Sequence, residues 1–274
     1  MLAIISDMLS SPFIVRALIA GSLISLCSSL LGVSLVLKRC SMIGDGLSHV
    51  GFGALAVAAA MGTAPIAFAV PVVIAAAFLL LRIGENSKIK GDAAIALISV
   101  GSLAVGVTVV YKTTNSSLDI SHYMFGSVNS ISKSDLPLCI GLTAVVLILY
   151  VFFYSKIFAV NFDENFAKAT GMKTGLYNML IAALTAVTIV LGMRLMGALL
   201  VSALIVFPSL SAMRVFKSFF SVVVGSAVLS LICFFAGMII SYELETPAGA
   251  SVVIVNIAAF ILFSGVGVLR GWLK

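Results

Sequence analysis

The sequence predicts an all-α fold: a polytopic helical membrane protein with eight or nine transmembrane helices. Three observations carry that prediction. Of the 274 residues, 62% are apolar and only 9% charged, and the mean hydropathy is +1.25. A soluble domain carries about 25% charged residues. The apolar residues also come in runs of about 20, the length that crosses hydrocarbon as a helix. Such runs must satisfy their own backbone hydrogen bonds in lipid. Finally, the charges gather at the ends of the runs. That placement argues against a nucleic-acid binder despite the net charge of +6. The short alternating segments of an outer-membrane barrel are not seen.

Nine runs read as candidate spans, at roughly 12–37, 43–61, 64–82, 92–111, 136–155, 174–192, 195–213, 218–240 and 248–269. The sixth and seventh are separated only by Gly192-Met193-Arg194. One broken or re-entrant span there would reduce the count to eight. Met1 to Asp7 lacks the basic start of a cleaved signal peptide, so the first run reads as a retained span. Asp92, opening the fourth, reads as a helix N-terminal anion. Pro208 predicts a kink or break near the inner end of the seventh. No linker, repeat or low-complexity tract divides residues 1–274, which read as one transmembrane domain. Cys27, Cys40, Cys139 and Cys233 lack CxxC spacing and read as small apolar filler.

Lys/Arg bias sets orientation. With the N-terminus outside, inner segments receive Lys38, Arg39, Arg82, Lys88, Lys90, Lys156, Lys168, Lys173, Arg214, Lys217, Arg270 and Lys274. Outer ends receive Arg16, Lys112, Lys133 and Arg194, so the sixteen split twelve to four. A polar connection, 112–135, then lies outside and holds His122. His122 is there either a ligating imidazole or an ordinary exposed loop histidine.

The inner connection, about 156–173, has helix grammar. Asp163 and Glu164 suit a first turn. Phe162, Phe166 and Ala169 form an apolar edge at three-to-four-residue spacing. Gly171 is a plausible C-cap. Such a helix either docks into a groove on a soluble partner or lies along the membrane surface.

Asp45 and His49 are the costliest residues in the apolar runs. They sit in Gly44-Asp45-Gly46-Leu47-Ser48-His49, and one of only two histidines is spent there. Four residues apart, they share one helix face. Ionisable groups inside a membrane mark functional sites by default. The alternative is packing: Asp45 with Arg39 or a serine, His49 with a neighbouring carbonyl. There is no GxxxxGK[ST] loop, no HExxH motif and no paired-carboxylate arrangement, so no enzyme hypothesis has a site. If a nucleotide powers transport, another subunit must hydrolyse it.

Five motifs in order resemble the membrane-spanning subunits of bacterial ABC importers for zinc, manganese or iron(II), the ABC-3 permease family. They are the stretch from Lys38 to His49, Ser121-His122-Tyr123-Met124-Phe125-Gly126-Ser127, the segment from Phe162 to Gly171, the run from Gly197 to Pro208, and the stretch from Ser241 to Ala250. The resemblance covers nearly the whole chain. Cys40 departs from it, standing where the family often has Met or another apolar residue.

The resemblance implies a fold like that of the vitamin B12 importer's membrane subunit, in the bacterial plasma membrane. It implies a homodimer, two copies of a cytoplasmic ATPase and an extracytoplasmic metal-binding protein. Asp45 and His49 would line the metal path, and Glu164, Ala167 and Gly171 would belong to the coupling helix seated in the ATPase. No permanently bound cofactor is expected, only a passing Zn2+ or Mn2+. Zinc accepts an Asp oxygen and a neutral His nitrogen, and manganese tolerates both. A conduit should offer fewer ligands than a storage site, so that the ion leaves again. The competing expectations are a secondary carrier with Asp45 and His49 as a proton relay, and an importer of a metal chelate.

Overall fold

A computed structural model describes residues 10–86, 91–113 and 135–269. Residues 114–134 of the outer connection, with Lys133, His122 and the motif from Ser121 to Ser127, lie outside the described residues, as do Lys88 and Lys90. So do Arg270 and Lys274. The chain forms eleven helices among the described residues: α1 Pro12–Leu37, α2 Met42–Ala60, α3 Pro65–Asn86, α4 Gly91–Thr113, α5 Asp135–Phe152, α6 Tyr154–Phe162, α7 Glu164–Ala169, α8 Thr174–Met196, α9 Ala198–Val215, α10 Phe219–Leu244 and α11 Ala248–Leu269.

Eight of them are long and apolar enough to cross a membrane, and a ninth span results if the bent pair α5–α6 is counted as one. The predicted spans thus recur with three differences. The fifth stops at Phe152, and the chain bends by 66° into α6. The break between the sixth and seventh falls at Gly197, with φ +89°, rather than at Gly192-Met193-Arg194. Pro208 lies inside α9 without ending it.

The spanning stretches of α1, α2 and α8 are two-thirds or more buried, whereas those of α3, α4 and α11 are less than a third buried. The core is therefore α1, α2 and α8, with α9 packed on α1, and lipid is the natural solvent for the rest. Small residues permit the close approach that membrane helices rely on. A Cβ on Gly32 would collide with the Ile205 carbonyl oxygen, and one on Gly53 would lie 2.7 Å from that of Ser102. Buried hydroxyls add cross-links. Ser209 and Ser226 both donate towards the Ser29 carbonyl, at 3.3 and 3.4 Å, and Ser230 donates to that of Ser25 at 3.1 Å.

Lys38 at the end of α1 meets Glu164 in α7 and Asn178 in α8. Phe219, opening α10, stacks on Tyr154 and Phe158 of α6. These contacts gather Lys38, Arg39, Lys156, Lys168, Lys173 and Lys217 at one end of the bundle. By the positive-inside rule this basic end is the one expected to face the cytoplasm.

Candidate functional site

Asp45 and His49 lie in the first two turns of α2, just inside the basic end. His49 Nε2 stands 3.7 Å from Asp45 Oδ2, too long for a hydrogen bond, so each atom keeps a free ligating direction. The Ser48 hydroxyl donates to the Asp45 main-chain oxygen at 2.7 Å, not to its carboxylate. Among the described residues the side chain nearest the Asp45 carboxylate in salt-bridge range is His49, and Arg39 makes no such approach.

The surroundings of this pair are selective. In the inner half of α2, Ile43, Gly44, Gly46, Leu47, Ser48 and Val50 are all buried. Met42, Asp45 and His49 form the uncovered strip, with the side chains of Asp45 and His49 52% and 23% exposed. Their spacing of three and four residues places them on one face. Glycine keeps the opposite faces tight: a Cβ on Gly46 would meet Ile95 Cγ2 at 2.6 Å. A neighbouring groove between α2, α3 and α4, about 490 Å³, is lined by Val50, Val57, Phe68, Leu97 and other apolar residues, with Ser102 the polar exception. It offers an ion no charged or imidazole ligand. Among the described residues no cluster of three or more His, Cys, Asp or Glu could cage a metal. The pair is thus a sparse, open site.

The second polar centre is the inner connection. Asp163 caps α7, its carboxylate accepting from the Phe166 amide at 2.9 Å. Gly171 adopts φ +82° directly after the helix, and its amide donates to the Lys168 carbonyl while that of Met172 reaches Ala167. This pair of bonds is the Schellman closure of a helix. The helix is shorter than the run of polar residues suggested, since α6 supplies the preceding turns.

The three residues that the coupling reading singled out differ in placement. Ala167 is buried against the protein body, and Gly171 sits at the exposed turn. Glu164 faces inward: Oε1 is 2.9 Å from Lys168 Nζ, and Oε2 is 3.7 Å from Lys38 Nζ and accepts from Asn178 Nδ2 at 3.5 Å. The hydrogen bond from Lys168 draws the Glu164 carboxyl below the usual carboxylate range; burial opposes it, and Lys38 and Asn178 assist. The surface that α6 and α7 present outward is aromatic, with Phe162 82% and Phe166 66% exposed. Asn178 was missed by sequence reasoning, although a lone amide near the start of an apolar span was the available signal.

The fold and motifs have relatives. The profile of the ABC 3 transport family matches residues 10–266. The manganese import system permease protein ScaB of Streptococcus gordonii is 27% identical over 96% of this chain and 94% of its own length. The high-affinity zinc uptake system membrane protein ZnuB of Haemophilus influenzae is 28% identical over 90% of this chain and 94% of its own. Among solved structures, PsaBC from Streptococcus pneumoniae in complex with a Fab superposes with a TM-score of 0.87. It is 27% identical and covers 96% of this chain and 95% of its counterpart.

Proposed function

The chain belongs to the ABC 3 transport family, and from that premise we propose that it carries a divalent transition metal, zinc or manganese, inward at the expense of ATP hydrolysed on another subunit. It is an ABC-type permease for metal transport, a multi-pass protein of the cell membrane, and not a catalytic enzyme. The observation that carries the finer reading is the open strip holding Asp45 and His49. Metal–ligand bonds of about 2.0–2.2 Å meeting at the tetrahedral angle put two ligand atoms about 3.4 Å apart. The 3.7 Å between Oδ2 and Nε2 is close to that span. Two ligands bind an ion in passing rather than storing it, and water or a second copy of this chain facing the strip supplies the rest. A homodimer accordingly pairs two such strips.

Chemistry assigns the remaining parts. No P-loop occurs in the sequence, so ATP binds elsewhere. The exposed Phe162 and Phe166 suit a groove on a cytoplasmic ATPase, with one ATPase for each copy of this chain. Metal selection falls to an extracytoplasmic binding protein, because Asp plus His discriminates weakly between zinc and manganese. The test is uptake of radiolabelled zinc and manganese by cells carrying Asp45→Ala or His49→Ala. Both variants should assemble with the ATPase and accumulate neither metal. Normal accumulation would remove the pair from the path. Uptake by the chain alone in liposomes under an ion gradient would make it a secondary carrier instead.

A further inference from the structure

Glu164 turns its carboxylate toward the protein body while a third of its side chain stays exposed. Its carboxylate is held by Lys168 from its own helix, by Asn178 from α8 and by Lys38 from α1. Lys38 is the member that leads elsewhere. Its side chain is only 19% exposed, and its ammonium also hydrogen-bonds the Asn178 amide oxygen. A partly buried charge held by two partners is better fixed than a surface ion pair.

The chain immediately after Lys38 is stiff. The Arg39 amide donates to the Val36 carbonyl at 3.0 Å and the Cys40 amide to that of Leu35 at 2.9 Å. Arg39 takes φ +57°, so the elbow is a Schellman closure built without glycine. The Ile43 amide then bonds the Cys40 carbonyl at 3.0 Å, and α2 begins at Met42. Main-chain hydrogen bonds thus tie Arg39, Cys40 and Ile43 along the short path from Lys38 to Asp45. The geometry points to Lys38 as the positioning residue that links the docking helix to the Asp45/His49 helix, so that displacement of α7 moves the polar pair through the α1–α2 elbow. This rests on the importer reading and adds to it the route by which the two centres communicate.

The docking helix does not need Lys38 in order to fold. The Asp163 cap, the Lys168 pair and burial of Ala167 hold it. Lys38→Met should therefore cut the link and leave the docking surface intact. The test uses the permease, ATPase and binding protein together in proteoliposomes, with radiolabelled zinc or manganese as probe. Lys38→Met should retain the ATPase and its basal hydrolysis but lower metal taken up per ATP by about tenfold, the scale of an ordinary inter-site coupling. Lys38→Arg, which keeps the cation, should restore most of that ratio.

A second arm reads the elbow directly. A Met42→Cys label site in a Cys40→Ser background should change its maleimide reactivity when nucleotide binds. Adding Lys38→Met should abolish that change. An unaltered uptake ratio, a persisting reactivity change, or loss of the ATPase from Lys38→Met would each overturn the proposal, the last by making Lys38 structural. If the unmodified complex moves no metal, the importer reading fails. The labelling arm, which needs no transported metal, still decides the role of Lys38.

Discussion

The two ionisable centres of this protein are built on opposite plans. Asp45 and His49 stand 3.7 Å apart on the strip of α2 that they share with exposed Met42, Asp45 half exposed and His49 less so, with no hydrogen bond between their side chains. Glu164 is engaged: although a third of its side chain is exposed, Lys168, Lys38 and Asn178 converge on its two oxygens. A carboxylate with spare lone pairs can exchange ligands, whereas one whose lone pairs are occupied fixes geometry. On the proposed reading, the contrast separates the place where an ion pauses from the bracket that positions it.

The strongest way to break this comparison is to ask what each centre does for stability. Asp45→Ala and His49→Ala should abolish uptake while leaving thermal unfolding in detergent within about 0.5 kcal/mol, as expected for partly exposed groups without structural bonds. A large loss of stability would put Asp45 in the bracket class. The docking helix should behave in the reverse manner. At Gly171 the left-handed φ and the amide bond to Lys168 both exclude proline, so Gly171→Pro should cost about 3 kcal/mol locally and uncouple ATP hydrolysis from uptake. Gly171→Ala meets open space and should cost only the backbone term, about 1–2 kcal/mol. Unchanged uptake and ATPase co-purification in the proline variant would show that the shape of α7 is irrelevant. Asp163→Ala removes one cap and should weaken α7 by about 1 kcal/mol, read as faster amide exchange at Phe166.

The spans were legible because a run of about 20 apolar residues has few other destinies. The spacing of Asp45 and His49 and the grammar of the α7 segment were also local, and local signals survive folding. What was not legible depends on distant packing. Gly192 looked like a turn, but a Cβ there would meet Val201 and Ile24 within 3 Å, so its smallness serves close packing. The bend at Phe153 carries no Gly or Pro signal; Phe153 and Tyr154 instead join an aromatic cluster with Tyr177 and Phe219. The inward aim of Glu164 needed Lys38 and Asn178, residues brought to it by α1 and α8. The i,i+4 spacing said nothing of which face of α2 would stay uncovered.

The finest test of the comparison lies in two copies of the same turn. Arg39 and Gly171 occupy the same left-handed position in two Schellman closures, both at the basic end of the bundle. For Arg39 that conformation costs about 1–2 kcal/mol, while glycine adopts it freely. Arg39→Gly relieves the strain but gives the unfolded chain more freedom, which offsets part of the gain. The net should be a stabilisation of about 0.5–1 kcal/mol, opposite in sign to Gly171→Ala. If the elbow transmits movement, the same variant should lower metal uptake per ATP, because glycine lets the segment between Lys38 and Asp45 bend. A more stable protein that couples less well separates rigidity from stability. If Arg39→Gly instead destabilises the fold, the side chain of Arg39 holds the elbow, and its backbone is not the source of stiffness.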